Sequence, residues 1–480
     1  MLISKHQFED RCGILRLTPQ SGQVLPLGLI VCGLGLLTWI LSLDLGNLIH
    51  NKASLMRATD AAVYSAALVQ ARALNLHAYL NRAQLAHQIA MTHLITMAGA
   101  EQYRSKLSGQ AARFNPPPPL IGLLFGAKHS AAYASAKLGG VTDQTALRQL
   151  SEAFSLHDET THQVIELVRQ QQLNQLIDFR NNALEQVLIK NIGNNGSTMR
   201  GESLRQLRIE SELKFDELPG FVSRFSGADS TWQTMLARAS KNYTFLNERN
   251  HTFRNKWVVN IKCPHKRHEL RRKGTTRMSP KGEWSVQDTQ SFHALRYNRL
   301  IGCYQREYPM GWAMIENIAR QRPQEALSEV VGGVPQNFSE QPFWRWVADN
   351  GGGGWNIFSG GDNKLSRLWA FQSKIRWVTQ GLPSYTTVSP RRGQVLRLGL
   401  SVKQSNPLIQ THPLSSSLRS DKPYASEQFD RIEALRATAA AETYFESAKT
   451  HFTPASDGAN LWQPFWRARL IEFSQLSKRK

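Results

Sequence analysis

Two cysteines and two histidines are the clearest candidates for chemistry in this sequence. Cys263, His265 and His268 lie close together, and Cys303 follows further along the chain. Thiolate and imidazole are ligands that zinc prefers in structural sites, but the spacing does not match that of the short zinc fingers. A disulfide between Cys263 and Cys303 is the interpretation that suits an oxidising compartment. A closed loop of this size would contribute about 4 kcal/mol in the chain-entropy model.

A second candidate is the basic patch, a cation-rich stretch between residues 241 and 306. Its cations include Lys262, Lys266, Arg267, Arg271, Arg272, Lys273 and Arg277. Aromatic residues such as Trp257 and Tyr297 are interleaved with them, a composition suited to phosphate contacts and to stacking on bases or sugars. The alternative is a solvated basic loop between strands. The formal charge of +21, from 58 Lys and Arg against 37 Asp and Glu, also favours a polyanion or an anionic membrane surface as partner.

Familiar catalytic signatures are missing from the sequence. It contains no His-Glu-x-x-His, no Gly-x-Ser-x-Gly, no Walker-type phosphate loop and no dinucleotide-binding fingerprint next to a predicted strand. The glycine run at residues 351–354 lacks the Lys-Ser or Lys-Thr that would follow in a phosphate-binding loop. We therefore expect no enzymatic activity, no cofactor, no bound metal and no small-molecule substrate.

One apolar segment must position all of these groups relative to a membrane. Residues 24–43 carry no charge, and as a helix they would measure about 30 Å, the thickness of a bilayer core. Pro26 fits the first helical turn, since its missing N–H would have no partner there. A cleaved signal peptide would have a shorter apolar region and an Ala-x-Ala site, whereas Asp44 follows Leu43 directly. The sequence therefore predicts one uncleaved membrane span.

The basic residues that flank the span predict its orientation. They are Lys5, Arg11 and Arg16 on one side, against Lys52 and Arg57 on the other. This bias favours a cytoplasmic N-terminus, residues 1–23, and a long C-terminal region can be translocated largely regardless of its own charges. We expect a single-pass protein of the bacterial inner membrane whose bulk is periplasmic.

Residues 44–115 predict a membrane-proximal helical region, because they contain no proline and carry an apolar seam with alternating spacings of four and three. The seam comprises Ala62, Ala66, Val69, Ala73, Leu76, Leu80, Ala83, His87, Ala90, Leu94 and Met97. It is interpreted as a core face, and packing against other subunits is the alternative. His87 is interpreted as a buried, hydrogen-bonded histidine rather than a ligand.

The rest of the chain predicts an α+β fold. Four prolines at residues 116–119 predict a stiff hinge that opens a second helical region, residues 116–198, with its main helix at about 142–192. Residues 199–426 are predicted to be mixed α/β, with strands at 257–261, 375–378 and 395–398 and glycine loops at 332–333, 351–354 and 360–361. Residues 427–480 are predicted to return to Ala-rich helix with an aromatic ending.

Short motifs follow one another in a characteristic order around the span. Gly22 and Gln23 open it, Asp44-Leu45-Gly46 closes it, and Asp60-Ala61-Ala62 opens the Ala-rich helix that continues through Ala66-Ala67. In this order and spacing, residues 21–67 resemble the TadE/TadG-like proteins of the tight-adherence (Flp) pilus assembly machinery. Residues 441–445 and 460–470 look like the ending of long members of the same group.

Two features depart from the resemblance. Processed pilin precursors usually carry a glutamate five residues after the cleaved glycine, whereas Leu27 stands at that distance from Gly22. Some relatives also have a von Willebrand A-type domain with an Asp-x-Ser-x-Ser metal motif, and this chain has no such run. Neither processing nor a metal site is therefore carried over from the family.

The resemblance implies a membrane-anchored component of Flp/Tad-type pilus assembly, either minor pseudopilin-like or an assembly factor, that acts through protein contacts without catalysis. Its expected partners are pilus or secretion-apparatus subunits, inner-membrane lipid and further copies of the chain. Asp44 is interpreted as a structural stop at the water interface, with pairing of Asp44 or Asp60 to a neighbour's cation as the alternative. The alternative functions are an exported protein that binds acidic glycan, lipid head groups or DNA, and a periplasmic zinc enzyme.

Overall fold

The computed structural model describes residues 24–140, 144–193, 209–225, 230–278, 283–299, 302–319, 377–389, 395–405, 434–446 and 458–476. Its helices are α1 (Val24–Ala112), α2 (Pro118–Phe125), α3 (Ala127–Ser135), α4 (Gln144–Gly193) and α5 (Ser230–Ser240). Its strands are β1 (Ile209–Asp216), β2 (Val222–Phe225), β3 (His251–Arg254), β4 (Glu269–Met278), β5 (Trp284–Asn298), β6 (Gly302–Ala319), β7 (Trp377–Thr379), β8 (Tyr385–Val388), β9 (Val395–Ser405), β10 (Ala434–Phe445) and β11 (Trp466–Ile471). The chain is a mixture of helix and sheet.

The helix α1 is 89 residues long and runs without a break from the apolar segment into the rest of the protein. No proline follows Pro26 within it, so nothing removes a donor from its hydrogen-bond ladder. Its most apolar 18 residues have a mean hydropathy of 2.3 and are not buried at all. Among the described residues, α1 is the one helix long and apolar enough to cross a membrane.

The next part of α1 packs against an antiparallel sheet with the strand order β1-β9-β10-β11. This core combines small helix residues with aliphatic and small strand residues, among them Ala58, Ala62, Ala66, Ala67, Leu398, Leu400, Val402, Ala437, Ala439 and Ala441. Small side chains on both surfaces let the helix approach the sheet closely. The hydroxyl of Thr443 in β10 donates a hydrogen bond to the carbonyl of Ala67, at 2.9 Å.

The strands β10 and β11 correct the sequence prediction for residues 427–480, which was Ala-rich helix. Residues 434–445 form β10, which pairs with β9 on one side and β11 on the other. Alanine favours helix intrinsically, but a position between two strands and against α1 outweighs a weak local preference. The aromatic ending is likewise partly a strand, since Trp466 begins β11.

The last part of α1 packs against a second sheet with the strand order β3-β4-β5-β6-β7, antiparallel except for the parallel β6–β7 pair. Ile95 and Ala98 of the helix meet Trp284 and Val286 of β5 in this core. Gly99 permits the close contact, because a Cβ atom there would lie 2.9 Å from Cγ1 of Val286.

The helix α4 confirms the predicted second helical region and lies antiparallel to α1. Its residue Asp158 contacts His87 of α1, while Leu184 and Leu188 pack with Leu55 and its neighbours, nearer the start of α1. The prolines before it form a bend in which Pro117 is extended and Pro118 begins α2. Prolines at the first positions of a helix are tolerated because their missing donors would be unpaired there.

Of the predicted strands and loops, some are confirmed, one is wrong and some lie outside the described residues. Residues 395–398 begin β9, as predicted, and residues 377–378 lie in β7, whereas 375–376 lie outside the described residues. Residues 257–261 are irregular, which contradicts the predicted strand; the short β3 ends before them, and the side chain of Ile261 is fully exposed. The predicted glycine loops at 332–333, 351–354 and 360–361 lie outside the described residues.

The apolar seam of α1 is only partly buried. Ala62, Ala66 and Ala73 lie in the protein's own core, so the alternative that these residues pack against other subunits is wrong. Further along, Leu94 and Met97 are exposed, and Met91 and Ile95 are buried instead. A strict seven-residue repeat drifts around a straight helix of 3.6 residues per turn, and α1 packs on sheets rather than in a coiled coil.

Candidate functional site

The described residues of the family resemblance are spread along α1 rather than gathered in a site. The full set is Gly22, Gln23, Asp44, Gly46, Asp60, Ala61 and Ala62. Gly22 and Gln23 lie outside the described residues. Ala62 is fully buried against the first sheet, and partial burial raises the pKa of the Asp60 carboxyl.

Cys263 and Cys303 form a disulfide that ties the segment between β3 and β4 to the start of β6, with 5.9 Å between their Cα atoms. A sulfur in a disulfide is not a thiolate, so this pair offers no zinc ligand. His268 instead accepts a hydrogen bond at Nδ1 from the backbone N–H of Leu295, at 2.7 Å. Burial, helped by Arg296, lowers the pKa of His268 to about 4, which keeps the ring neutral.

Three of the four strand cations of the basic patch pair with acidic side chains, and two of these acids also pair with Arg249 and Arg254. Arg271 pairs with Glu269, and Arg272 bonds to Asp288 at 3.1 Å. Arg277 at the end of β4 lies 3.2 Å from Glu248. Lys273 also lies in β4. The interpretation of this part as a solvated loop is therefore wrong, because it is a paired strand.

The remaining cations of the patch lie in the irregular segment before β4. The ammonium of Lys262 is 4.7 Å from the ring centre of Tyr297, and that of Lys266 donates to the carbonyl of Cys303 at 2.9 Å. Arg267 donates to the carbonyl of Pro264. These contacts hold the disulfide-bonded segment against the sheet, and they leave the three positive charges without an acidic partner among these contacts.

A different group of residues forms the most concentrated chemistry among the described residues. His87 of α1 and His162 of α4 both direct Nε2 at Oδ1 of Asp158, at 2.9 Å and 3.5 Å. Asp158 is almost completely buried, while His162 keeps some exposure. The backbone N–H of Gln380, just after β7, donates to the other carboxylate oxygen at 2.7 Å. We call His87, Asp158 and His162 the His–Asp cluster.

The surroundings of the His–Asp cluster favour an ionised Asp158 and a neutral His162. Burial opposes ionisation of Asp158, but bonds from His87 and Gln380 and the nearby His162 outweigh it and hold the pKa of Asp158 below its usual range. Burial lowers the pKa of His162, although Asp158 acts against this. A carboxylate with two imidazoles can bind a divalent metal or move a proton.

The exposed side of the His–Asp cluster opens into a cavity of about 260 Å³. Its lining consists of Gln84, Glu159, His162, Gln163, Glu166, Arg224, Gln380, Pro383 and Ser384. Most of these side chains are polar, and they come from α1, α4 and the residues that flank β2, β7 and β8. His162 is the member of the cluster that faces this space.

A buried arginine lies behind the lining of the cavity and bonds to three of its residues. The guanidinium of Arg169 donates to Gln84 and to the carbonyl of Ser384, each at 2.8 Å, and pairs with Glu166 at 3.0 Å. Arg224 pairs with the other oxygen of Glu166, at 2.9 Å. This network links α1, α4 and the segment before β8.

Comparison with family models, curated proteins and solved structures finds no match to this chain. The assignment of function therefore depends on the sequence and on the geometry described above.

Most of the His–Asp cluster is not predicted by the sequence. The sequence predicts that His87 is buried and hydrogen-bonded, and the bond to Asp158 confirms this. Its partner lies 71 positions away in the sequence, and spacing alone does not reveal such a contact. The available signal was the pair Asp158 and His162, four residues apart and therefore on one face of the predicted helix.

Proposed function

We propose that this chain is a membrane-anchored component of a Flp/Tad-type pilus assembly apparatus that acts through protein contacts. The carrying observation is the continuity of α1, in which an exposed apolar segment and the central helix of the folded body are one element. This arrangement is what the resemblance to TadE/TadG-like proteins leads one to expect.

The apolar segment supports anchoring in a membrane because no other described part of the chain buries its side chains. Val24, Leu25, Leu29 and Val31 each expose more than 60% of their surface. Leaving large apolar side chains in water costs about 1.5–3 kcal/mol each, and a lipid bilayer removes that cost. A stretch of this length spans one bilayer core.

The disulfide supports a location of the folded body outside the cytoplasm. Structural disulfides form and persist in oxidising compartments, and they are rare in the reducing cytoplasm. The Cys263–Cys303 bond lies within the body that follows the apolar segment. This agrees with the orientation that the flanking basic residues predict, with the body in the periplasm.

Contacts with further copies or with other subunits have a candidate surface in the anchor. Gly28 and Cys32 are four residues apart, and both are exposed on one face of α1. A Cβ atom at Gly28 would meet no atom within 4 Å. Small residues at this spacing let helices pack closely in lipid, where apolar surface alone does not drive association.

Reporter fusions test the topology. Alkaline phosphatase is active only after export, so a fusion after Lys480 should be active, and a fusion of a cytoplasmic reporter at the same site should not. The matched control carries Leu34→Arg and Leu37→Arg, two charges that oppose insertion at the middle of the span. Activity of only the cytoplasmic reporter in the unmodified chain would overturn the proposal.

Deletion of the gene tests the pilus assignment. The deletion strain should lose surface fibres and adherence, and the unmodified gene should restore both. A gene that encodes residues 44–480 behind a cleavable signal should not restore them, because the body would be exported without its anchor. Normal pili in the deletion strain would refute the assignment, and a steep salt dependence of glycan or DNA binding would then favour the polyanion alternative.

A further inference from the structure

Three side chains of the His–Asp cluster converge on a single point between α1 and α4. The ligand atoms of His87, Asp158 and His162 all lie within 4.8 Å of one another. Both imidazoles present Nε2, and both face the same oxygen of Asp158. Two imidazoles and one carboxylate are a ligand set that divalent transition metals take in proteins.

The distances match the size of such an ion. Two ligands at about 2.0–2.1 Å from a tetrahedral zinc ion are about 3.3 Å apart. The separations of 2.9 Å and 3.5 Å from Asp158 to the two histidines lie on either side of that value. All three atoms lie within 4.8 Å of one another, so their arrangement is compatible with one ion that contacts all three.

The surroundings supply the further parts that metal sites need. The N–H of Gln380 holds the second oxygen of Asp158 at 2.7 Å, which fixes the orientation of the carboxylate. The side-chain nitrogen of Gln88 lies 3.4 Å from Nε2 of His162 and would move aside. His162 lines the cavity, so the ion can enter the site from there. A fourth ligand such as water can reach the bound ion by the same route.

We propose that His87, Asp158 and His162 bind one divalent transition metal, of the zinc class, between α1 and α4. Zinc is favoured because it accepts this ligand set in tetrahedral geometry and undergoes no redox chemistry in an oxidising compartment. The ion would link the central helix to α4 and leave one coordination position facing the cavity. This inference does not depend on the pilus assignment.

Metal titration of the full chain in detergent tests the proposal. The protein is stripped with a chelator, dialysed and titrated with zinc chloride in a calorimeter, and about one ion per chain should bind. Cobalt(II) chloride serves as the spectroscopic probe, because a tetrahedral site with histidine ligands gives visible absorption bands. Zinc should displace the cobalt and remove the bands.

Variants locate the site. His162→Ala should weaken zinc binding by about 100-fold or more and abolish the cobalt bands. The matched control is His93→Ala, which removes an exposed histidine of α1, and it should bind like the unmodified protein. His162→Gln, which retains a hydrogen-bonding side chain, serves as the second variant if the alanine protein does not fold.

The outcomes are decisive in both directions. Binding of one zinc ion that is lost in the His162 variants and kept in His93→Ala supports the site. Unmodified protein that shows neither zinc binding nor cobalt bands overturns it. Equal binding by the unmodified protein and a folded His162 variant also overturns it, since the metal would then be bound elsewhere.

Discussion

Two parts of α1 share one backbone but differ in what surrounds them. In the apolar segment, residues 24–43, the side chains are almost uniformly apolar and exposed. In the longer part that follows, buried alanines alternate with buried amide and imidazole side chains such as Asn81, Gln84 and His87. A membrane requires only an apolar composition, whereas the sheets and a partner helix require particular side chains at particular positions. The longer part should therefore be far more sensitive to substitution.

The largest expected effect is the loss of Asn81. Its amide donates to the carbonyls of Thr386 and Leu461 at 2.8 Å and 2.7 Å, and its oxygen accepts from the N–H of Thr386 at 3.2 Å. Asn81→Leu keeps the branched shape and the number of side-chain heavy atoms but leaves three buried backbone groups unpaired, which should cost about 3–5 kcal/mol. Chemical denaturation in detergent measures this, with the exposed Arg82→Leu as control. Equal stability of the two variants would contradict the structural role of the amide.

The next effect concerns acid sensitivity and His77. This ring is completely buried, and neither nitrogen meets a hydrogen-bond partner within the described residues. Burial, helped by Arg169, lowers its pKa to about 4, below the value of about 6.5 in an unfolded chain. Between these values the unfolded state binds a proton that the folded state does not. The free energy of unfolding should therefore fall as the pH falls from about 6.5 to about 4, by about 3 kcal/mol.

His77→Leu should remove that share of the acid sensitivity. Denaturation midpoints are measured at several pH values across the window, in the unmodified chain and in both variants. The exposed His93→Leu should retain the dependence, and His268 should leave a residual slope in all three proteins. An unchanged slope in His77→Leu would mean that the imidazole is paired or reached by water.

A smaller effect is expected where helix and sheet touch. Ala66 is fully buried against the strands of the first sheet, so Ala66→Leu should overfill the contact and cost about 1–3 kcal/mol. Ala67 is equally buried, and Ala67→Leu should be as harmful, although the seven-residue seam would place it off the contact face. Thermal unfolding compares the two variants. Tolerance of Ala67→Leu alone would restore the seam interpretation.

The smallest effect on folding is expected for a substitution in the apolar segment. Gly28→Leu adds a side chain that would meet no atom of the same chain within 4 Å, so the stability of the body should change by less than about 0.5 kcal/mol. Self-association in detergent, followed by crosslinking, should nevertheless decrease if Gly28 packs against a second copy. A loss of stability of the folded body in this variant would show that its folding depends on the apolar segment of α1.

The same comparison explains what the sequence reveals. The apolar segment can be predicted from the sequence because insertion into a bilayer depends on the average composition of about 20 consecutive residues, and that composition is read directly from the sequence. The strand conformation of β10 cannot be predicted in this way, because Ala437, Ala439 and Ala441 become strand residues only once β9, β11 and α1 surround them. The disulfide could be proposed because cysteines are few. The contact between His87 and Asp158 could not, since it depends on how two helices align.

The length of α1 has a mechanical consequence. From Leu43 to its end the helix extends for about 100 Å, and the body packs against it from about Leu48 onwards. Only about 8 Å of helix therefore separates the apolar segment from the body, and α1 is continuous across this distance. A load applied to the body would reach the bilayer as tilt and torque about a single shaft, rather than being absorbed by a slack tether.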